Sequence, residues 1–149
     1  MTELIPITEN KERFMELLLI GDEQEEMIFR YLGDCELYVL SDQGRICGVC
    51  AVTDEGSGVL ELKNIAVHPD FHRKGYGRRM IELLSDRYRG AYSVIRAGTG
   101  DSPLTVPFYE SCGFVRTYTV PDFFIDNYDH PIIEGGVQLR DMIYFEKKI

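Results

Sequence analysis

The sequence predicts an α+β fold in which helices flank a mixed, mostly antiparallel central sheet. A short strand and two helical patterns come first, and three apolar strands separated by turn residues then form a meander. A long amphipathic helix follows the third of these meander strands. Shorter strand and helix patterns alternate over the rest of the chain. The 149 residues contain no linker or internal repeat, so we expect a single domain spanning 1–149.

The first half of the chain supplies the meander and two early helices. Strands are predicted at 3–7, 36–40, 45–53 and 59–67. Thr8 or Asn10 can cap the first helix, and Asp22 with Glu25 fits a capping box at the start of the second. The sequence Asp42-Gln43-Gly44 is typical of a hairpin turn between the second and third strands.

The second half of the chain completes the sheet. Strands are predicted at 93–97, 114–120 and 139–147. A helix is predicted over 103–111, with Gly113 ending it. The interval 121–137 combines turn residues with aromatic side chains. This composition favours a packed loop that reaches across a substrate site or a neighbouring subunit. Packing alone is the alternative for this interval.

The stretch from Ile65 to Met80 is an apolar strand, a basic glycine-containing loop and the start of the amphipathic helix. Gly75 and Gly77 let the backbone approach a ligand closely, and the first N–H groups of the helix have no intrahelical acceptor. The helix dipole favours an anion at the same place. This arrangement favours a phosphorylated cofactor, although a Gly-x-Gly sequence is also common in ordinary turns.

The charge distribution points to the same loop. The formal net charge is −9, from 25 acidic and 16 basic residues, which disfavours nucleic-acid binding. The basic residues concentrate around the loop, at Lys63, Arg73, Lys74, Arg78 and Arg79. A cationic region in an acidic protein suits a polyanionic cofactor and a cationic co-substrate. A solvated acidic surface is the alternative for any single carboxylate.

No metal site is expected. Cys47 and Cys50 have Cys-x-x-Cys spacing, but residues three apart on a strand point to opposite faces, and no second ligand pair follows. His68 and His72 are separated by Pro69, which argues against one helix presenting both.

Two further features of the sequence bear on the location of the protein in the cell. Its N-terminus lacks the features of a secretory signal, and no apolar run reaches the length of a membrane span. We therefore expect a soluble cytoplasmic protein without a membrane partner. A homodimer is possible because sheet edges and exposed aromatic loops often pair.

Two motifs resemble the signatures of the GCN5-related N-acetyltransferase (GNAT) superfamily. The first is His72-Arg73-Lys74-Gly75-Tyr76-Gly77, which resembles the family's pyrophosphate loop, with His72 in place of its Gln or Arg. The second is Tyr109-Glu110-Ser111-Cys112-Gly113-Phe114, which resembles the family's Tyr-Glu-x-x-Gly-Phe segment. The order of helices and strands is similar to the GNAT order over essentially the whole chain.

The resemblance implies an acetyl-coenzyme A-dependent N-acetyltransferase. It places the pantetheine arm along the backbone of the third meander strand, with an N–H near Val67 polarising the thioester carbonyl. Ser102 stands where the family often has Asn, and helix capping is its alternative role. The implied cofactor-binding residues are Ile65, Ala66, Val67, His72, Arg73, Lys74, Gly75, Tyr76, Gly77, Arg78 and Ser102.

The resemblance also implies two catalytic residues. Tyr109 matches the family tyrosine that acts as general acid, and a phenol with a pKa of about 10 is protonated at neutral pH. Packing over the core is its alternative role. Glu61 lies at the position of the general-base Glu in histone-acetyltransferase members. Glu61 and Lys63 share a strand face, so a salt bridge explains Glu61 equally well.

The expected acceptor is a primary amine on a small cationic metabolite or drug-like molecule. Residues 10–33 and the late loop are expected to form the acceptor pocket. Two alternatives remain open: a noncatalytic acyl-coenzyme A sensor or interaction domain, and an enzyme that acetylates protein N-termini or lysines. A peptide acceptor would need an open groove, which the 121–137 segment could obstruct.

Overall fold

A seven-stranded mixed sheet forms the centre of the computed structural model, which describes residues 1–149. The strands are β1 (Thr2–Ile7), β2 (Glu36–Asp42), β3 (Arg45–Gly56), β4 (Val59–Val67), β5 (Val94–Gly100), β6 (Val115–Val120), β7 (Ile133–Glu134), β8 (Val137–Gln138) and β9 (Met142–Lys148). The order across the sheet is β1-β2-β3-β4-β5-β9-β6, while β7 and β8 form a separate hairpin. Within the large sheet only β4 and β5 are parallel, so the predicted mixed, mostly antiparallel sheet is confirmed.

Helices cover both faces of this sheet. The helices are α1 (Met15–Gly21), α2 (Glu25–Leu32), α3 (Tyr76–Tyr88), α4 (Val106–Ser111) and α5 (Phe123–Asn127). On one face, Met80 and Leu84 of α3 pack into a cluster with Phe145 of β9. On the other face, Leu18 of α1 and Ile28 of α2 pack into a second cluster. None of these helices combines the length and the hydropathy of a membrane span.

The two parallel strands separate halfway along their length. β4 and β5 pair from Val59 and Val94 as far as Leu62 and Ala97, and no pairing follows. On its other side β4 stays paired with β3, but the register shifts: Val52 lies opposite Leu62, and Ala51 lies opposite Asn64. Lys63 is therefore an extra residue, a β-bulge of the kind that bends a strand away from its neighbour.

Three local predictions differ from the structure. The helix cap of α2 is Gln24, without a side-chain hydrogen bond, so the predicted Asp22–Glu25 capping box is wrong. α4 begins at Val106 rather than at 103, because residues 103–105 form a turn. The interval 121–137 is more regular than a loop, since it contains α5 and most of the β7–β8 hairpin.

The prediction that Cys47 and Cys50 point to opposite faces is also wrong. Leu40 lies opposite Gly48, and Ser41 lies opposite Ile46, so Cys47 is an extra residue in β3. This second bulge breaks the alternation of side chains along the strand. Both cysteines therefore pack in the same cluster beneath α3, as free thiols.

The two neighbouring residues Ile28 and Phe29 provide a test of the packing of α2. Ile28 is fully buried, whereas Phe29 is 54% exposed. We expect Ile28→Ala to lower the free energy of unfolding by about 2–5 kcal/mol, because it leaves a cavity in the core. Phe29→Ala should change that free energy by less than about 1 kcal/mol. Urea denaturation measures both, and equal losses would contradict the packing of α2 described above.

Candidate functional site

A cavity of about 290 Å³ lies where β4 and β5 separate. We call it the central cavity. Its walls come from β4, β5, α4, the C-terminal end of α1 and the segment after β6. Of the predicted site residues, it is lined by Ile65, Ala66, Val67, Gly77 and Tyr109. The separation of the strands thus places the predicted pantetheine-binding strand beside the predicted general acid.

The backbone of β4 presents an open edge to this cavity. Ile65, Ala66 and Val67 pair with β3 on one side, and β5 has already diverged on the other. Peptide groups directed towards β5 therefore have no strand partner. An unpaired strand edge can form hydrogen bonds to the amides of an extended ligand.

The basic loop leads from this edge into α3. Gly75 is the helix N-cap residue, with a left-handed φ of 79° and no side-chain cap, so the first N–H groups of α3 stay available to an anion. The side chains from His72 to Lys74 are exposed. Two loop side chains also bind protein groups: His72 Nε2 lies 2.7 Å from the Val67 carbonyl oxygen, and Arg78 donates to the Ser111 carbonyl at 3.0 Å.

Tyr109 is only 6% exposed and lies among Phe108, Phe114 and Phe145. Its hydroxyl has no hydrogen-bond partner within the protein. Burial is the main cause that raises the pKa of this phenol above its ordinary value, and the charges of Cys112 and Glu134 act in the same direction. Tyr109 is therefore protonated at neutral pH, with its proton uncommitted to any protein acceptor.

Glu61 lies outside the central cavity. Its carboxylate is buried and holds two cations: Lys63 Nζ lies 2.5 Å from Oε2, and Arg96 donates to Oε1 at 2.8 Å. These contacts match the salt-bridge alternative of the sequence analysis. Both carboxylate oxygens are already occupied.

A second cavity of about 550 Å³ adjoins the first, and we call it the acidic cavity. The carboxylates that line it are Asp22, Asp34, Asp54, Glu55 and Glu61, and the cations are Arg30 and Lys63. The lining residues shared by both cavities are Asp22, Leu62, Lys63, Gly98, Tyr128 and Met142. A ligand that bridges the two cavities would therefore pass Asp22.

Sequence reasoning missed Asp22 as a site residue. The Tyr128 hydroxyl donates to its carboxylate at 2.7 Å, from 106 residues further along the chain. Burial raises the pKa of Asp22 above its ordinary value, and the Tyr128 hydrogen bond opposes the shift. In the sequence Asp22 resembles an ordinary helix cap, so only its distant partner marks it out.

Two buried polar atoms in the lining have no partner, and of their two residues only Asn64 is marked in the sequence, as a polar residue that interrupts an apolar strand. Asn64 Nδ2 donates to the Leu18 carbonyl oxygen. Because a carbonyl can only accept, this bond fixes which amide atom of Asn64 is the nitrogen, and Asn64 Oδ1 is left without a partner. Glu134 Oε2 is also buried without a partner.

Ser102, in contrast, does not line the central cavity: its buried Oγ accepts the Leu104 N–H at 3.1 Å, which is a local turn contact.

Comparisons with known proteins agree with this architecture. A family model described as an acetyltransferase (GNAT) domain matches residues 33–116. An uncharacterized N-acetyltransferase of Bacillus subtilis, YvbK, is 29% identical over 137 residues, which cover 91% of this chain and 88% of that protein.

Two solved structures superpose over nearly the entire chain. A GNAT family acetyltransferase from Elizabethkingia anophelis with acetyl-CoA bound has a TM-score of 0.92 and 30% identity, over 99% of this chain and 98% of that one. A Bacillus subtilis acetyltransferase in complex with CoA has a TM-score of 0.89 and 26% identity, over 100% and 99% of the two chains. The chain therefore belongs to the GNAT family of acetyltransferases.

Proposed function

We propose that this acetyltransferase transfers the acetyl group of acetyl-CoA to a primary amine on a small cationic molecule. The observation that carries the proposal is the acidic cavity, with five lining carboxylates against two lining cations, joined to the cavity that contains Tyr109. A surplus of negative charge in a partly enclosed site attracts a cationic acceptor.

The cofactor would lie along the open edge of β4, with its pyrophosphate over the N-terminus of α3. The peptide groups of Ile65, Ala66 and Val67 would bind the pantetheine arm. Gly75, where a Cβ meets no atom within 4 Å, leaves open space for the phosphates, while the absent Cβ of Gly77 makes room for the Phe108 ring. Arg73 and Lys74 are exposed beside this position and would supply positive charge. Bound acetyl-CoA supplies an acetyl thioester and a thiolate leaving group.

Tyr109 would act as the general acid. The amine nitrogen forms a bond to the thioester carbonyl carbon, and the bond from that carbon to sulfur breaks. The Tyr109 phenol donates its proton to the departing sulfur and takes one back from the acylated nitrogen, while a backbone N–H near Val67 polarises the carbonyl. Burial keeps the phenol protonated well above neutral pH, so this proton is present whenever the thioester is bound.

The segment from residue 121 to residue 140, called the late segment, favours a small acceptor rather than a peptide. Residues between 121 and 140 have their own apolar cluster, formed by Phe124, Ile132 and Leu139. The same segment bonds to the early helices through Tyr128 to Asp22, Asp129 N–H to Gln24, and Arg30 to Asn127. These contacts close one side of the two cavities, where an extended peptide would need an open groove.

The proposal is tested by free-thiol release from acetyl-CoA across amines, polyamines, aminoglycosides, amino acids and short peptides. We expect release to require an added acceptor and to be faster for small cationic amines than for neutral or anionic acceptors, because of the charge of the acidic cavity. Calorimetric cofactor binding runs alongside as the control for an intact site. Turnover with peptides alone would overturn the small-molecule assignment.

Tyr109→Phe tests the general acid. We expect kcat to fall by about 10²–10⁴-fold, since the thiolate would leave without a positioned proton donor. Acetyl-CoA affinity should stay within about twofold, because the ring and its packing are kept. Tyr118→Phe is the control, since Tyr118 is exposed and outside both cavities. An unchanged kcat in Tyr109→Phe would reduce Tyr109 to a packing residue.

Gly75→Ala tests the phosphate-binding loop. A Cβ at Gly75 meets no atom within 4 Å, but the φ of 79° costs a non-glycine residue about 1–2 kcal/mol. The free loop relieves that strain by changing conformation, so we expect acetyl-CoA to bind about tenfold more weakly in calorimetry. Gly33→Ala is the control, because it also meets no atom within 4 Å and its φ is −69°. Equal affinities for the two variants would argue against this loop as the cofactor site.

A further inference from the structure

Neither the proposed general acid nor the proposed cofactor-binding residues explain why the Glu134 carboxylate lies where it does. It ends β7 in the late hairpin and lines the central cavity, and its Oε2 is buried without a hydrogen-bond partner. A carboxylate oxygen that loses water and gains no donor carries a desolvation cost. A ligand that brings an N–H donor into the cavity would remove that cost.

The hairpin holds Glu134 in place. Gly135 and Gly136 form its turn with φ values of 57° and 77°, which glycine adopts readily. The turn packs so closely on the segment before α4 that a Cβ on Gly135 would lie 2.6 Å from Pro103 Cγ. Since Tyr109 belongs to α4, the hairpin fixes Glu134 relative to the proposed general acid.

The other nearby carboxylates are engaged or solvated. Both oxygens of Glu61 hold cations, and Glu61 lines only the acidic cavity. Asp22 accepts the Tyr128 hydroxyl, and Glu23 is exposed. The titratable groups that line the central cavity with Glu134 are Asp22, Glu23, Lys63, Tyr109 and Tyr128. Among these carboxylates, Glu134 is the one with a buried oxygen that accepts no hydrogen bond.

We propose that Glu134 binds the ammonium group of the acceptor in the central cavity and acts as the general base. This inference rests on the proposed function. An N–H bond of the ammonium breaks and an O–H bond forms on Glu134, which frees the nitrogen lone pair to attack the thioester carbon. Tyr109 protonates the sulfur, and a second proton from the nitrogen restores the phenol. Glu134 then releases its proton to solvent, so one proton leaves per amide formed.

The test compares two acceptors of the same shape but different basicity. One is an aliphatic amine that the wild-type enzyme acetylates, and the other is its β,β-difluorinated analogue. Both are assayed at a pH between their two ammonium pKa values, so that only the fluorinated nitrogen is largely unprotonated on arrival. A general base is needed only for the first. In Glu134→Gln we expect kcat to fall about a hundredfold with the aliphatic amine and less than about fivefold with the fluorinated one.

Asp126→Asn is the matched control, because Asp126 is exposed on the same segment and lines neither cavity. It should leave both rates unchanged, and acetyl-CoA affinity should be unchanged in both variants. An equal loss with the two acceptors, or no loss, would overturn the base role of Glu134. If Glu61→Gln, and not Glu134→Gln, lowered kcat with the aliphatic amine alone, Glu61 would be the general base and the role of Glu134 would be overturned. These outcomes leave the proposed function standing, whereas no turnover of any amine by the wild type would overturn both.

Discussion

The separation of β4 from β5 is the constraint on which the site depends. Two parallel strands pair as far as Leu62 and Ala97 and then diverge at the bulge formed by Lys63. Divergence creates the central cavity and leaves the backbone of β4 open on one edge. The same strand leads through the basic loop to the N-terminus of α3, so one continuous segment presents both an unpaired peptide edge and the uncapped N–H groups of a helix.

The two cavities differ in the burial and in the charge of the side chains that line them. Around the central cavity, aromatic packing keeps the Tyr109 phenol protonated, and a hairpin carries an unpartnered carboxylate oxygen of Glu134. Around the acidic cavity, carboxylates outnumber cations, although Glu61 is neutralised by Lys63 and Arg96. The proposed capture and deprotonation of an ammonium rest on this pairing of an aromatic-lined cavity with a neighbouring cavity in which carboxylates outnumber cations.

Much of the fold could be predicted because it follows from local periodicity. The strands of the meander, α3 and the turn at Gly44 each have a pattern that is complete within a short window. The errors fall where a distant contact overrides a local preference. Asp22 has the sequence of a helix cap but accepts a hydrogen bond from Tyr128. The expectation that Cys47 and Cys50 point to opposite faces fails because a bulge shifts the alternation along β3.

The fold class, the glycine-containing basic loop and the resemblance of two motifs to the GNAT family could all be predicted from the amino-acid order, because each depends on residues that are neighbours in the chain. Which acidic side chains reach the cavities became clear from the folded chain alone. Carboxylates are frequent in this chain, and their roles depend on partners far away in sequence: Arg96 for Glu61, Tyr128 for Asp22, and no partner at all for one oxygen of Glu134. Burial and long-range pairing set those roles, and neither is encoded in a local pattern.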